Sequence, residues 1–309
     1  MKQILFNPFD IGKWFILGFT AWLSTLASGA SQGTGGTGGT GGTGGTGGTG
    51  DTAGVLDDPQ IEEAFVEAKD WIMEHWEWIV GAGVIIASII VIVTVVVTWL
   101  QSRGKFMLLD NVINNRALVG QPWKEFRTEG NSLFLWSLVF SLITFLVFGG
   151  SIGGFGWLIY LKLDSNDFIW TGPMVGYVVG FVGLLFLLGV GFAYITRLLE
   201  DFVIPLMYQR RLKTTEAWRV FLSLHSQNVG SFIAYFLWVA LLGLAWGIAI
   251  FAFVLLTCCI GGILLAIPYL GTVLLLPMLV FLRALGPSFL GQFGDEFNLW
   301  KGTQLEVQS

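Results

Sequence analysis

The sequence predicts an all-α fold, a polytopic transmembrane helical bundle of about six spans at roughly 20 residues each. Three observations predict it. The mean hydropathy is +0.72 and only 12% of residues are charged, far outside the range of soluble chains. Several apolar runs exceed about 18 residues, the length needed to cross a hydrocarbon core. The basic residues gather in alternate gaps between those runs, as in inserted membrane proteins.

The runs lie at 12–30, 79–100, 132–151, 173–197, 231–257 and 266–286. With the N-terminus placed in the cytoplasm, 14 of the 16 basic residues fall on the inner side, leaving Lys69 and Lys162 outside. Lysine and arginine close to span ends set orientation, so the expected topology has both termini in the cytoplasm of a bacterial inner membrane. The net charge of −5 argues against a nucleic-acid partner.

Residues 1–30 form an N-terminal transmembrane segment. Lys2, the apolar stretch from Trp14 to Ala27 and the small residues Ser28, Gly29 and Ala30 also fit a cleaved signal peptide. Asp10 and Lys13 interrupt a simple basic start and favour a retained span. Residues 31–57 are a flexible extracytoplasmic linker, in which 33–50 is a strict Gly-Gly-Thr triplet. Such a tract carries no reactive side chain and spans roughly 20–25 Å as a coil, so it reads as a tether. Residues 58–78 follow as an acidic amphipathic helix, opened by Asp58 as cap and Pro59 at the first turn. Ile61, Phe65, Ala68 and Ile72 share one face between Glu62, Glu63, Glu67 and Asp70. Trp71, Trp76 and Trp78 then lead into the second span as interfacial anchors.

Two inner loops share a pattern, which divides the rest of the chain into two-span repeats at 79–151 and 173–257. Arg116 aligns with Arg211, Trp123 with Trp218, Lys124 with Arg219 and Phe126 with Phe221. Leu133 to Trp136 likewise falls beside Tyr235 to Trp238. An amphipathic helix at the inner interface would sink Trp and Phe into the acyl boundary and aim Lys and Arg at anionic headgroups. These eight aligned residues are therefore expected to face lipid, as a stabilising interfacial belt or, in a sharper version, with Arg116 and Arg211 recognising headgroups.

Gly172, Gly176 and Gly180 stand four apart and predict a helix-packing face, within the bundle or between subunits. Residues 258–309 hold the last span and a cytoplasmic tail. Pro268 and Pro277 bracket Gly271 there, and Arg283 is expected to snorkel to the inner face. Cys258 and Cys259 adjoin, which suits neither a disulfide framework nor a metal site. His75 and His225 are expected on opposite sides of the membrane, and EHWEW lacks the second histidine of a zinc helix. No nucleophile elbow, phosphate loop or dinucleotide motif occurs, so the expectation is no enzyme, no cofactor and no metal.

Particular residues carry a family resemblance. They are Phe6 to Asp10 with Lys13 and Trp14, Phe106 to Asn111, Gly130 to Trp136, and Pro268 to Val273 through Arg283 to Gln292, Phe293 and Gly294. Together they resemble an uncharacterised group of multi-pass bacterial inner-membrane proteins of unknown function, distantly similar to the glycerophosphodiesterase membrane-domain group. The resemblance covers most of the chain outside about 30–60. It implies that the N-terminal segment is retained, and it implies no activity and no site residues.

The expected function is a membrane-embedded scaffold or regulatory component. Its partners would be membrane lipids and either a membrane protein or a second copy. The alternative is a transporter or lipid-handling protein, for which Thr94, Thr98, Ser137, Ser141 and Thr272 offer the polar lining.

Overall fold

The structure, a computed structural model, describes residues 11–26, 71, 73–164, 172–257 and 260–300. The Gly-Thr tract, the acidic helix over 58–70, Cys258, Cys259 and the tail beyond 300 lie outside the described residues, as do the opening residues of the chain. The described part is helical and contains no strand. In chain order it comprises α1 (Ile11–Thr25), α2 (Trp76–Ile113), α3 (Gly120–Glu125), α4 (Arg127–Asp164) and α5 (Gly172–Leu198). A π-turn at Leu199–Val203 leads into α6 (Ile204–Arg210), followed by α7 (Thr214–Gln227) and α8 (Val229–Leu256). Short α9 (Ile260–Ala266) and α10 (Pro268–Leu274) precede α11 (Leu276–Leu290).

Among the described residues, five helical stretches are long and apolar enough to cross a membrane: Trp76–Ile113, Arg127–Leu161, Val175–Arg210, Val229–Leu256 and Leu276–Phe293. The first apolar run of the sequence gives only the 15-residue α1. The expected span at 266–286 is broken instead of continuous. Proline opens both α10 and α11, and Ile267 before Pro268 is extended, as the ring of a following proline requires.

The chain divides into two compact units, Gly36–Val97 and Met1–Gly35 with Thr98–Ser309. In the first, Trp71 and His75 stack one turn apart, with ring centroids 4.7 Å from each other, ahead of the apolar part of α2. In the second, two long buried stretches lie beyond the predicted span ends, and Leu133, Phe232, Tyr235 and Val239 join the core from within the spans. Every residue from Gln101 to Ile113 is buried, and so is every residue from Leu198 to Met207. Both stretches fall outside the spans expected from the sequence, in the inner segments that follow them. Their ionisable side chains find partners inside the fold, as Lys105 does in Glu200 and Asp110 in Arg116.

Phe106, Phe126, Phe202, Phe221 and Phe232 anchor the larger core, and each is at most 2% exposed. Leu17 and Ala21 of α1 join Leu108, Val112, Leu276 and Val280 in a second cluster. The N-terminal segment is thus a packed part of the fold. Gly104 permits that contact, because a Cβ there would stand 2.8 Å from the backbone of Leu23 and Ser24.

Candidate functional site

The core at the base of the spans is held by ionisable groups. Lys105 Nζ lies 2.6 Å from Glu200 Oε1, and both side chains are almost wholly buried. One turn before the π-turn, Arg197 Nε sits 3.2 Å from Asp201 Oδ2. Tyr235 donates its hydroxyl to the same oxygen at 3.0 Å. Arg283, expected to snorkel, is instead buried and donates to the backbone carbonyls of Glu200 at 3.3 Å and Lys105 at 3.4 Å. Close by, α11 packs tightly on the π-turn, since a Cβ at Gly286 would strike the Asp201 carbonyl. A cavity of about 20 Å³, room for a single water, is bounded by Lys105, Arg197, Asp201 and Arg283 with Ser24 and Thr25. The π-turn places Glu200 and Asp201 on adjacent positions that face these cations, and such one-turn insertions recur at functional sites.

A second polar hub lies further from the apolar runs. Asp110, 1% exposed, accepts from Arg116 Nε at 3.0 Å and its terminal nitrogen at 2.8 Å. Tyr208 donates to Asp110 at 3.0 Å, and the Asn114 amide donates to the same carboxylate at 2.8 Å. The Asp110 hydrogen bonds push the Arg116 guanidinium above its ordinary value. Asn111 clamps both backbone groups of Leu118, closing the turn between α2 and α3.

The eight aligned residues therefore separate. Arg116 is committed to Asp110, and Arg211 to Glu125, with Glu129 at 3.8 Å and the Phe126 ring 4.1 Å beneath it. Phe126 and Phe221 are buried in protein and do not face lipid: Phe126 stacks on Phe106 at 5.8 Å and Phe221 on Phe202 at 5.5 Å. Trp218 is half-buried against Trp136, at 5.6 Å between centroids. Arg219 is exposed. Trp123 is half-buried and Lys124 exposed, and these two remain at an open surface. The glycine stripe does not pack among the described residues: a Cβ at Gly176 or Gly180 would meet nothing within 4 Å, and Gly172 is described only as the first residue of α5.

Lys105, Glu200, Asp201, Tyr235 and Asp110 were missed by sequence reasoning. The signal was present, since ionisable residues beside a span are costly unless paired. The orientation rule weights only lysine and arginine, so acidic residues at the same depth drew no notice.

The sequence matches a family of unknown function, DUF7544, over residues 1–294. The chain belongs to the DUF7544 family. This DUF7544 match spans α1 through α11, so both the ionic base and the aligned segments lie inside it. It carries no link to glycerophosphodiesterase domains or to bacteria. No curated protein and no solved structure matches the chain.

Proposed function

We propose that the chain is a membrane-embedded scaffold or regulatory component, whose apolar spans receive partner helices while the ionic base fixes where those spans stand. One observation carries this reading. In the most apolar 18-residue stretch of Val175–Arg210 no residue is buried, and in that of Val229–Leu256 only 6% are. A span packed in a finished bundle buries at least one face, usually through small residues that let helices approach. Here the middle of α5 meets its neighbours through isolated rings, such as Phe181 on Phe155 at 4.0 Å and Phe192 on Phe140 at 5.4 Å. Gly176 and Gly180 leave a small-residue face open on the same helix. The matched Phe126 and Phe221 stacks support a duplicated origin for the two halves. The basic residues near the base support a cytoplasmic position for it.

Photo-crosslinking in intact membranes tests the proposal. A crosslinker at Val179, Leu187 or Ile248, all exposed, should give a discrete protein adduct of one mass. Adducts to lipid alone from all three positions would overturn the scaffold reading.

A further inference from the structure

The aligned segment between α2 and α4 leaves a groove of about 410 Å³ lined by Trp99, Arg103, Trp123, Lys124 and Arg127. Trp99 and Trp123 meet edge to face, with centroids 5.7 Å apart and planes at 89°. The Arg103 guanidinium lies over both rings, 4.6 Å from one centroid and 4.9 Å from the other. A cation held by two indoles is positioned by the aromatic quadrupoles. Arg103 is 8% exposed; it donates one bond to Asn131 Oδ1 at 3.1 Å, and its Nε is buried with no partner. Lys124 and Arg127 stand exposed at the rim. Among the described residues no carboxylate lines the groove, and neighbouring Glu125 is turned to Arg211.

The groove also sits at a defined level. The α2 sequence from Ile79 to Leu100 carries no charge, and Arg103 is the first charged residue after it. Tryptophans at the end of such a run mark the headgroup layer. The site is therefore apolar on one side, cationic on the other, and at the depth where an acyl chain meets a phosphate.

We propose that this groove binds the headgroup of an anionic phospholipid. The phosphate lies between Lys124 and Arg127 over the buried charge of Arg103, and the first acyl carbons run along Trp99 and Trp123. This moves lipid recognition away from Arg116 and Arg211, whose guanidinium groups are consumed by protein carboxylates. It stands whether or not the spans receive partner helices.

The test uses the full chain in a neutral detergent, with bound lipid read by native mass spectrometry. The probes are phosphatidylglycerol, phosphatidylcholine with the same acyl chains, and inorganic phosphate. Each rim charge near an anionic lipid contributes about fivefold in affinity, so Lys124→Gln with Arg127→Gln should weaken phosphatidylglycerol retention about 25-fold. Both side chains are exposed, so the variant should keep the wild-type Tm. Arg219→Gln, at an exposed position of the aligned segment, should keep the lipid preference. Equal retention of the two lipids by wild type would overturn the proposal, as would an unchanged preference in the double variant. An equal loss in Arg219→Gln would assign the effect to the whole basic belt and overturn the groove. Displacement of the lipid by equimolar inorganic phosphate would show a free-anion site in its place.

Discussion

The two aligned segments, 115–126 and 210–221, end in the same contact but differ in their surroundings. In each, a phenylalanine lies flat on a partner from the preceding helix: planes are 6° apart for Phe126 on Phe106 and 7° for Phe221 on Phe202. A residue with left-handed backbone follows each first helix, Asn115 two residues after α2 and Arg211 directly after α6. The tryptophans then part company. Trp123 stays at an open edge beside Arg103, whereas Trp218 is covered by Trp136 and joins a ring cluster with Phe221 and Phe232. Amphipathic sequence of one pattern thus serves as a rim on one side and as core on the other. The deciding factor is what the neighbouring helix presents. The first half brings Lys105 just before Phe106 and the second brings Glu200 two residues before Phe202, and these two opposite charges meet at 2.6 Å across the halves.

The largest effect should come from breaking that charge complement. Lys105→Ala or Glu200→Ala alone leaves a buried charge without its partner and should destabilise the fold by about 3–5 kcal/mol. Replacing both by apolar residues of similar volume should restore much of the loss, because desolvation of the pair is removed together with its attraction. Thermal unfolding in detergent checks this. A double variant no better than the singles would mean that the pair does not act as a unit.

The stacked phenylalanines come next and sharpen the comparison. Deleting a buried phenylalanine side chain costs about 3–5 kcal/mol, more where the surroundings cannot close in. Phe221 touches the rings of Phe202, Trp218, His225 and Phe232, while Phe126 touches Phe106 and Tyr208. Phe221→Ala should therefore fall at the upper end of that range and Phe126→Ala at the lower. Equal losses would mean that the two segments are energetically equivalent despite their different surroundings.

How far these features were legible in the sequence follows from the range over which each interaction acts. The apolar runs at 132–151, 173–197 and 231–257 could be placed because apolar length is a local property; the first two fall within a helix and the third ends one residue past α8. The alignment singled out Phe126 and Phe221, and both proved central, yet for packing and not for lipid contact. Their burial depends on Phe106 and Phe202, which no residue-by-residue pattern paired with them. Lys105 and Glu200 are 95 residues apart in the chain, and nothing near either one announces the other. Arg283 was legible as an exception but not in its role, since its acceptors are backbone carbonyls that carry no sequence signal. The groove was half legible: Trp123 and Lys124 were named, whereas Arg103 and Arg127 were read as two among many inner charges.

The smallest effect separates the halves by pH. His225 stands four residues after Phe221, while four residues after Phe126 is Gly130, which cannot titrate. Burial lowers the His225 imidazole below its ordinary value, and its Nε2 lies 2.8 Å from the Tyr194 hydroxyl. With the ring neutral and Nε2 unprotonated, that hydroxyl donates to it. The folded state takes up a proton less readily than the unfolded state, whose histidine titrates near the free value of about 6.5. Stability is therefore complete above that pH and declines as pH falls through it toward the lower folded value. The decline is shallow, because part of the ring remains in reach of solvent. Thermal unfolding followed from pH 8 to pH 5 should show a drop in wild type, measured against His225→Gln as the reference for all other titrating groups. Parallel curves for the two proteins would mean that the His225–Tyr194 contact contributes nothing to this dependence, and that the second segment differs from the first in packing alone.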